Sequence, residues 1–237
     1  MWTVTTEKRV LGLLADILDY PRPGLAEKIL ECESLLSEST PGAADLLGRF
    51  RSFVEATPLG ILEEVYTGYF DLNSVCHPYI GYHVFGESYK RSAFLLTLKE
   101  MYRSQGFQAD EIELPDRLSV VLRFLAMSKD EESARETLAE GILPALEQMT
   151  KEEGTASLPA TTLDMATPQL EGHSQGEVLA GGFVLEMTEV AGIKVGVQSE
   201  EYPYRQALRA LRAVVEAICQ PQVSEQGAHP SGGKNHA

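Results

Sequence analysis

Reactive side chains concentrate in one stretch of the chain, which runs from Tyr66 to Arg117. Its first part sets Cys76, His77 and His83 among tyrosines and phenylalanines, and the segment ELPDR closes it. Thiols, imidazoles and carboxylates are the groups that bind metal ions or transfer protons in proteins. Helical sequence patterns flank both polar segments, so we expect function at two turns held by a rigid helical frame.

A metal site is the first chemistry that these residues suggest. Cys76, His77 and His83 could bind zinc, but their spacing matches no usual zinc site and no fourth ligand is visible. No histidine follows a glutamate by three residues, as a di-metal helical bundle requires. The sequence therefore favours a buried Cys76 and a histidine hydrogen-bonded to a neighbouring helix end. A metal-dependent enzyme using His77, His83 and nearby acids stays as the alternative.

Other catalytic motifs are missing from the sequence. The chain has no glycine-rich phosphate loop of the GxGxxG or GxxxxGK[ST] type, which argues against a nucleotide-binding fold. It also has no GxSxG nucleophile motif, and no paired CxxC or HExxH metal motif.

Carboxylates and aromatic rings share the two turns, and together they predict a peptide-binding groove. Acidic residues there could meet Arg or Lys of an amphipathic basic peptide, while the rings supply apolar walls. If the surface has no groove, the alternative is a structural adaptor. The expected acidic residues are Glu63, Glu64, Asp71, Glu87, Asp110, Glu111, Glu113 and Asp116, and the expected walls are Tyr66, Tyr69, Phe70, Tyr79, Tyr82 and Phe85.

Charge and composition limit the partners. The 237 residues carry a net charge of −15, from 35 acidic and 20 basic side chains. This balance argues against nucleic-acid binding and suits either a basic partner or simply a soluble surface. Three cysteines without paired spacing indicate a reducing compartment, and no apolar run is long enough for a membrane span. We therefore expect a cytoplasmic protein without membrane insertion.

Apolar residues recur with helical period over most of the chain, and no segment shows convincing strand alternation. The sequence thus predicts an all-α fold. Pro, Ser, Thr, Asp and Gly mark the expected helix ends. The first two predicted helices cover residues 7–20 and 23–37, and the last covers 202–219. Between them, the predicted helix starts are Pro41, the residue after a Thr57 cap, Ser88 or Glu87, Pro115 and the residue after an Asp130 cap. The helix that begins at Ser88 or Glu87 is expected to end at Gly106.

Periodicity is lost between residues 152 and 200, where Gly, Thr, Ser and Ala dominate. Such composition cannot bury enough apolar surface to offset the entropy of ordering. We expect a helical core over 1–150, a flexible insertion over 151–200, a helix over 201–219 that packs on the core, and a disordered tail over 220–237.

The two turns resemble the signatures of one protein family, the NarJ branch of the NarJ/TorD/DmsD redox-enzyme maturation chaperones. The resemblance covers residues 5–150 and weakly 202–219, and the insertion does not map onto the family. The second family signature is Glu-x-Pro-Asp-His, so Arg117 replaces the final histidine here. The matching residues are Tyr66, Phe70 and Asp71, then Tyr82, His83, Phe85, Gly86, Glu87 and Arg91, then Glu113, Pro115, Asp116 and Arg117.

The resemblance implies a single TorD-like helical bundle without catalytic activity. It implies binding of the N-terminal segment of a molybdoenzyme catalytic subunit, above all that of nitrate reductase, which is held until molybdenum-cofactor insertion. No tightly bound cofactor is expected, and at most a transient contact with the molybdenum cofactor inside the client complex. The protein would be a monomer or homodimer. The expected client-binding residues are Tyr66, Tyr69, Phe70, Asp71, Tyr79, Tyr82, His83, Phe85, Glu87, Arg91, Glu113, Pro115, Asp116 and Arg117.

Overall fold

The computed structural model describes residues 3–72, 76–109, 112–151 and 202–220, and within these ranges the chain is helical. The only strand-like pairing there is one isolated bridge, so the predicted all-α class is confirmed. The helices are α1 (Val4–Ile17), α2 (Leu25–Leu36), α3 (Pro41–Ala56), α4 (Leu59–Phe70), α5 (Ile80–Phe85), α6 (Tyr89–Ser104), α7 (Leu118–Met127), α8 (Glu131–Glu136), a π-helical segment (Thr137–Ile142), α9 (Leu143–Met149) and α10 (Pro203–Cys219).

Amphipathic helices build the core. Helix α1 packs against α2 and α7, and α3 packs against α2 and α10. In α1 the side chains of Val10, Leu14 and Ile17 are fully buried, as the helical spacing of its apolar residues predicts. Helix α6 differs, because it packs mainly against the short α5 and buries only Leu98 and Tyr102. Much of the α6 surface therefore faces solvent.

Helix α10 completes the core with an aromatic cluster around Tyr204. The Tyr204 ring lies 5.0 Å from Phe50 on α3, and 5.4 Å and 5.3 Å from Tyr66 and Phe70 on α4. Aromatic pairs at these separations add stabilisation beyond their buried area. A helix from the end of the described chain thus covers the start of the stretch in which function was expected.

Two predicted helix starts are wrong. Thr57 does not cap α4, because its hydroxyl donates to the Phe53 carbonyl at 2.6 Å and the residue ends α3 instead. Pro115 does not open α7, which begins at Leu118. The backbone before Leu118 is paired with another segment and is therefore unavailable for helix formation.

Other helix ends follow the sequence prediction. Helix α6 begins directly after Ser88, and Gly106 follows its end with a φ of +71°, which glycine adopts without strain. Asp130 caps α8 by accepting a hydrogen bond from the Ser133 amide at 3.0 Å. The π-helical segment was not predicted. It lies just before Pro144, which has no N–H to donate to the Glu140 carbonyl.

The predicted insertion over 151–200 and tail over 220–237 lie outside the described residues, apart from Lys151 and Gln220. Among the helices that are described, none has the length and apolar character needed to cross a bilayer.

Candidate functional site

The two motif turns meet through backbone hydrogen bonds. The Ile80 amide donates to the Asp116 carbonyl at 2.9 Å, and the Leu118 amide donates to the Pro78 carbonyl at 2.7 Å. These bonds form the antiparallel bridge between Tyr79 and Arg117. The Tyr102 hydroxyl on α6 adds a third contact, donating to the Pro115 carbonyl at 2.7 Å. The two turns, which are distant in sequence, thus lie side by side in the fold.

A buried ion pair joins the same turns. Asp116 is fully buried, and its Oδ2 accepts a hydrogen bond from Nε of Arg91 on α6 at 3.1 Å. Gly81 makes room for the carboxylate, because a Cβ at that position would lie 2.7 Å from Asp116 Oδ2. Among the described residues, Asp116 Oδ1 has no hydrogen-bond partner. Asp116 therefore positions Arg91 and does not face the solvent.

Aromatic rings flank the Arg91 guanidinium. Its central carbon lies 5.8 Å from the Tyr79 ring centroid and 5.9 Å from that of Tyr82, within the range of cation–π attraction. Phe85 packs on Phe94 of α6 with their centroids 5.3 Å apart. All four rings are half-buried, so each leaves part of its area accessible to solvent.

The side chains of His77, His83 and Cys76 each lie within hydrogen-bond distance of a backbone carbonyl group. His83 Nε2 lies 2.7 Å from the His77 carbonyl, so Nε2 carries the proton and donates it. His77 Nδ1 in turn lies 3.3 Å from the carbonyl of Phe70, the last residue of α4. Cys76 is buried, as predicted, with Sγ 3.7 Å from the Met149 carbonyl. Within the described chain no group of three or more His, Cys, Asp or Glu is placed to hold a metal ion.

Burial also lowers the pKa of His83. Desolvation of the ring is the main cause, and the nearby His77 and Arg91 oppose the charged form further, while the hydrogen bond to the His77 carbonyl acts in the opposite direction. Protonation of this ring is therefore disfavoured in the folded protein.

Arg117 connects the second turn to α1 and α4. Its Nη2 donates to the Tyr66 hydroxyl at 3.0 Å and lies 3.3 Å from Asp19 Oδ1, just beyond the end of α1. Its Nη1 forms an ion pair with Glu113 in the same turn. Arg117 is thus a structural junction here, although it stands where the family signature has histidine.

Three predicted wall residues belong to the core instead. Tyr66, Tyr69 and Phe70 are at most 1% exposed, because Tyr204 of α10 and Tyr202 just before it cover them. In the free protein they cannot line an open groove. Pro115 is likewise buried, and its carbonyl is engaged by Tyr102.

Two of the eight predicted acidic residues are neutralised by ion pairs, Asp116 with Arg91 and Glu113 with Arg117. Glu64, Asp71 and Glu87 are exposed, and Glu63 is half-buried. Asp110 and Glu111 lie outside the described residues. The accessible surface thus combines the rings of Tyr79, Tyr82 and Phe85, the imidazole of His83, the guanidinium of Arg91 and the carboxylate of Glu87. We name this set the α5–α6 surface.

Sequence reasoning missed several residues that support this site. Gly81 and Phe94 pack around the buried ion pair, Tyr102 holds the Pro115 carbonyl, and Asp19 anchors Arg117. A glycine inside an aromatic run was a usable signal for close packing. The pairing of Asp19 with Arg117 could not be predicted, since the sequence pattern of α1 does not indicate which residues contact the end of this helix.

A cleft lies beside the site, between α6 and the turn after it. This cleft has a volume of about 700 Å³. The residues that line it are Lys99, Tyr102, Arg103, Gly106, Phe107, Gln108, Ala109, Glu113 and Pro115.

The chain matches one family model and is similar to curated proteins whose names refer to nitrate reductase. Residues 36–157, just over half of the chain, match the family described as nitrate reductase delta subunit. The chain is 28% identical over 181 residues to the probable nitrate reductase molybdenum cofactor assembly chaperone NarJ of Bacillus subtilis (strain 168), covering 75% of this chain and 97% of that protein. It is 34% identical over 124 residues to the nitrate reductase-like protein NarX of Mycobacterium tuberculosis, in strains CDC 1551 / Oshkosh and H37Rv, covering 52% of this chain and 18% of NarX.

Proposed function

The chain belongs to the nitrate reductase delta subunit family, and we propose that this molybdenum-cofactor assembly chaperone binds the N-terminal segment of the nitrate reductase catalytic subunit. The family consists of maturation chaperones and not of catalytic subunits. The chaperone holds the client segment in the cytoplasm until the cofactor is inserted, and then releases it. We propose that it acts as a monomer or homodimer.

One observation carries the proposal: the second family motif lies beneath the first and holds its exposed residues in a fixed arrangement. Backbone hydrogen bonds between 78–80 and 116–118 and the Arg91–Asp116 pair fix the α5–α6 surface in the free protein. A preformed surface loses little conformational entropy when a peptide binds. Half-buried rings of Tyr79, Tyr82 and Phe85 offer apolar contact, with polar groups beside them to set orientation.

We assign the predicted residues to two roles according to their burial and contacts: those on the α5–α6 surface contact the client, and those beneath that surface support it. Tyr79, Tyr82, His83, Phe85, Glu87 and Arg91 contact the client. Tyr66, Tyr69, Phe70, Pro115, Asp116 and Arg117 support that surface from beneath, with Glu113 paired to Arg117. Asp71, exposed at the end of α4, contributes at the edge.

Co-purification tests the proposal in the cell. The tagged chain is expressed together with the nitrate reductase catalytic subunit, either intact or without its N-terminal segment. We expect recovery of the intact subunit before cofactor insertion, and little recovery of the shortened one. Equal recovery of both subunits would contradict the N-terminal assignment. Failure to recover any reductase subunit would contradict the chaperone function itself.

A further inference from the structure

Arg91 uses only part of its hydrogen-bonding capacity. Its Nε donates to Asp116, but within the described residues neither Nη1 nor Nη2 donates a hydrogen bond. The side chain is 18% exposed, on the α5–α6 surface. A guanidinium carries five N–H donors in a rigid planar fork, so most of the donors of Arg91 are open.

Three other arginines of the described chain show what this fork does when acceptors are within reach. Each of them joins two carboxylates at once, because a guanidinium carries several N–H donors. The pairs are Arg51 with Glu33 and Glu55, Arg117 with Asp19 and Glu113, and Arg123 with Asp16 and Asp19. Arg9, Arg135 and Arg212 each pair with one carboxylate but use at least two nitrogens, whereas Arg91 is held by one carboxylate through Nε alone.

The position of Arg91 is fixed from several sides. Moving it away would leave the buried Asp116 carboxylate without its partner, which is costly in a protein interior. The rings of Tyr79 and Tyr82 restrict the guanidinium laterally. Gly81 keeps the carboxylate close to α5. The open donors are therefore pre-oriented, and a group that accepts them need not order the side chain first.

We propose, resting on the function proposed above, that Arg91 binds a carboxylate side chain of the client segment between the rings of Tyr79 and Tyr82. An aspartate or glutamate of the client accepts hydrogen bonds from the Nη groups, and apolar client residues beside it pack on the two rings. Charge-assisted bonds of this kind are shorter and stronger than neutral ones. The charge recognised at the centre of the site is thus negative, and a basic client residue would meet Glu87 at the edge.

Calorimetry with amide-substituted peptides tests this inference. The probe is a synthetic peptide of the N-terminal segment of the cognate nitrate reductase catalytic subunit, titrated into the full chain. Each Asp or Glu of the peptide is replaced singly by Asn or Gln. We expect one replacement to raise Kd about tenfold, since hydrogen bonds to charged groups are the stronger class. The other replacements should change Kd less than about twofold.

A double-mutant cycle assigns the effect to Arg91. Arg91→Lys keeps a positive charge beside Asp116 but removes the planar fork, so the sensitive amide replacement should lose most of its effect in this variant. Arg103→Lys is the matched control, since Arg103 is exposed on the same helix and is not on the α5–α6 surface. It should leave the effect unchanged.

The outcomes separate this inference from the function on which it rests. If the wild type binds the peptide and every amide variant within about twofold, or if the cognate segment binds without containing Asp or Glu, the carboxylate assignment is overturned and client binding stands. An effect equally large in Arg91→Lys also overturns it. No binding of the unmodified peptide overturns both. The peptide series on the wild type decides the question even if Arg91→Lys fails to fold.

Discussion

Gly81 is the residue of the site at which an added side chain would find the least space. Its neighbours would approach an added Cβ to 2.7 Å at Asp116 Oδ2, 3.0 Å at Phe94 and 3.3 Å at Arg91. The first contact cannot relax easily, because Asp116 is fully buried and bonded to Arg91. The absence of a side chain at one helical residue thus permits the ion pair that joins the two motifs.

Replacing Gly81 with alanine should therefore destabilise the protein. We expect Gly81→Ala to lower the free energy of unfolding by about 1–3 kcal/mol, since overpacking outweighs the better helix propensity of alanine. Gly60→Ala is the control, because no atom lies within 4 Å of the added Cβ in α4. It should be neutral or stabilising by up to about 1 kcal/mol. Urea denaturation measures both, and equal stability of the two variants would contradict the packing argument.

His83 should make stability depend on pH in a defined direction. Burial lowers its pKa below the ordinary 6.5, so below that pH the unfolded chain binds the proton more readily than the folded chain. The stability contributed by neutral His83 is complete above pH 6.5 and is lost as pH falls toward the folded-state pKa. Denaturation of wild type and His83→Gln at about pH 7.5 and about pH 5.5 tests this. We expect the wild type to lose more stability on acidification, and a larger loss in the variant would contradict the assignment.

At the level of the helices, Arg117 connects the second motif turn to the end of α1 and to Tyr66 within α4. It reaches Asp19, Glu113 and Tyr66 with a side chain that is only 18% exposed. Asp19 is also paired with Arg123 of α7 at 2.6 Å. The turn beneath the α5–α6 surface is thus held by a network of charges and not by apolar packing alone.

Removing the contacts of Arg117 should lower the free energy of unfolding more than removing an ion pair on the surface. Arg117→Gln should lower the free energy of unfolding by about 1–3 kcal/mol, because it leaves partly buried acceptors without a donor. Arg9→Gln removes the Arg9–Glu31 pair, which is 2.7 Å long but roughly half exposed, and should lower the free energy of unfolding less than Arg117→Gln, because solvent screens the pair. Chemical denaturation compares the two. A smaller cost for Arg117→Gln than for Arg9→Gln would contradict the role given to Arg117.

The sequence predicted helices well where apolar periodicity is long, and less well at the site. The short α5 was predicted as part of a turn, because six residues are too few to show a helical period. The start of α7 was placed at Pro115, although the backbone of Asp116 bonds to Ile80. Both differences arise from contacts between distant segments, which local pattern does not contain.

For the protein as a whole, the cover that α10 places on α4 explains why the predicted groove walls are buried. Tyr66, Tyr69 and Phe70 could be assigned to one helix from sequence, but their exposure depends on Tyr204, far along the chain. The two motif turns lie side by side in the fold. Which of their residues face solvent followed only from the packing of the helices that the structure describes.

Tyr204 should accordingly be among the most important core residues. Tyr204→Ala should lower the free energy of unfolding by about 3–5 kcal/mol, as for other large buried rings. Tyr204→Phe should be close to neutral, since the hydroxyl has no hydrogen-bond partner within the described residues. Tyr89→Ala, on a ring that is 88% exposed, is the control and should change stability by less than about 0.5 kcal/mol. Similar losses for Tyr204→Ala and Tyr89→Ala would contradict the described packing.

Direct titration tests the central claim that the α5–α6 surface binds the client. The N-terminal peptide of the cognate nitrate reductase catalytic subunit is titrated calorimetrically into wild type, Glu87→Lys and Glu38→Lys. Glu87 and Glu38 are both exposed, but only Glu87 lies on the surface. We predict a wild-type Kd of about 1 μM or tighter, weakened about two- to fivefold by Glu87→Lys and unchanged by Glu38→Lys. No binding to the wild type at concentrations far above this Kd, or equal affinity of all three proteins, would contradict the account.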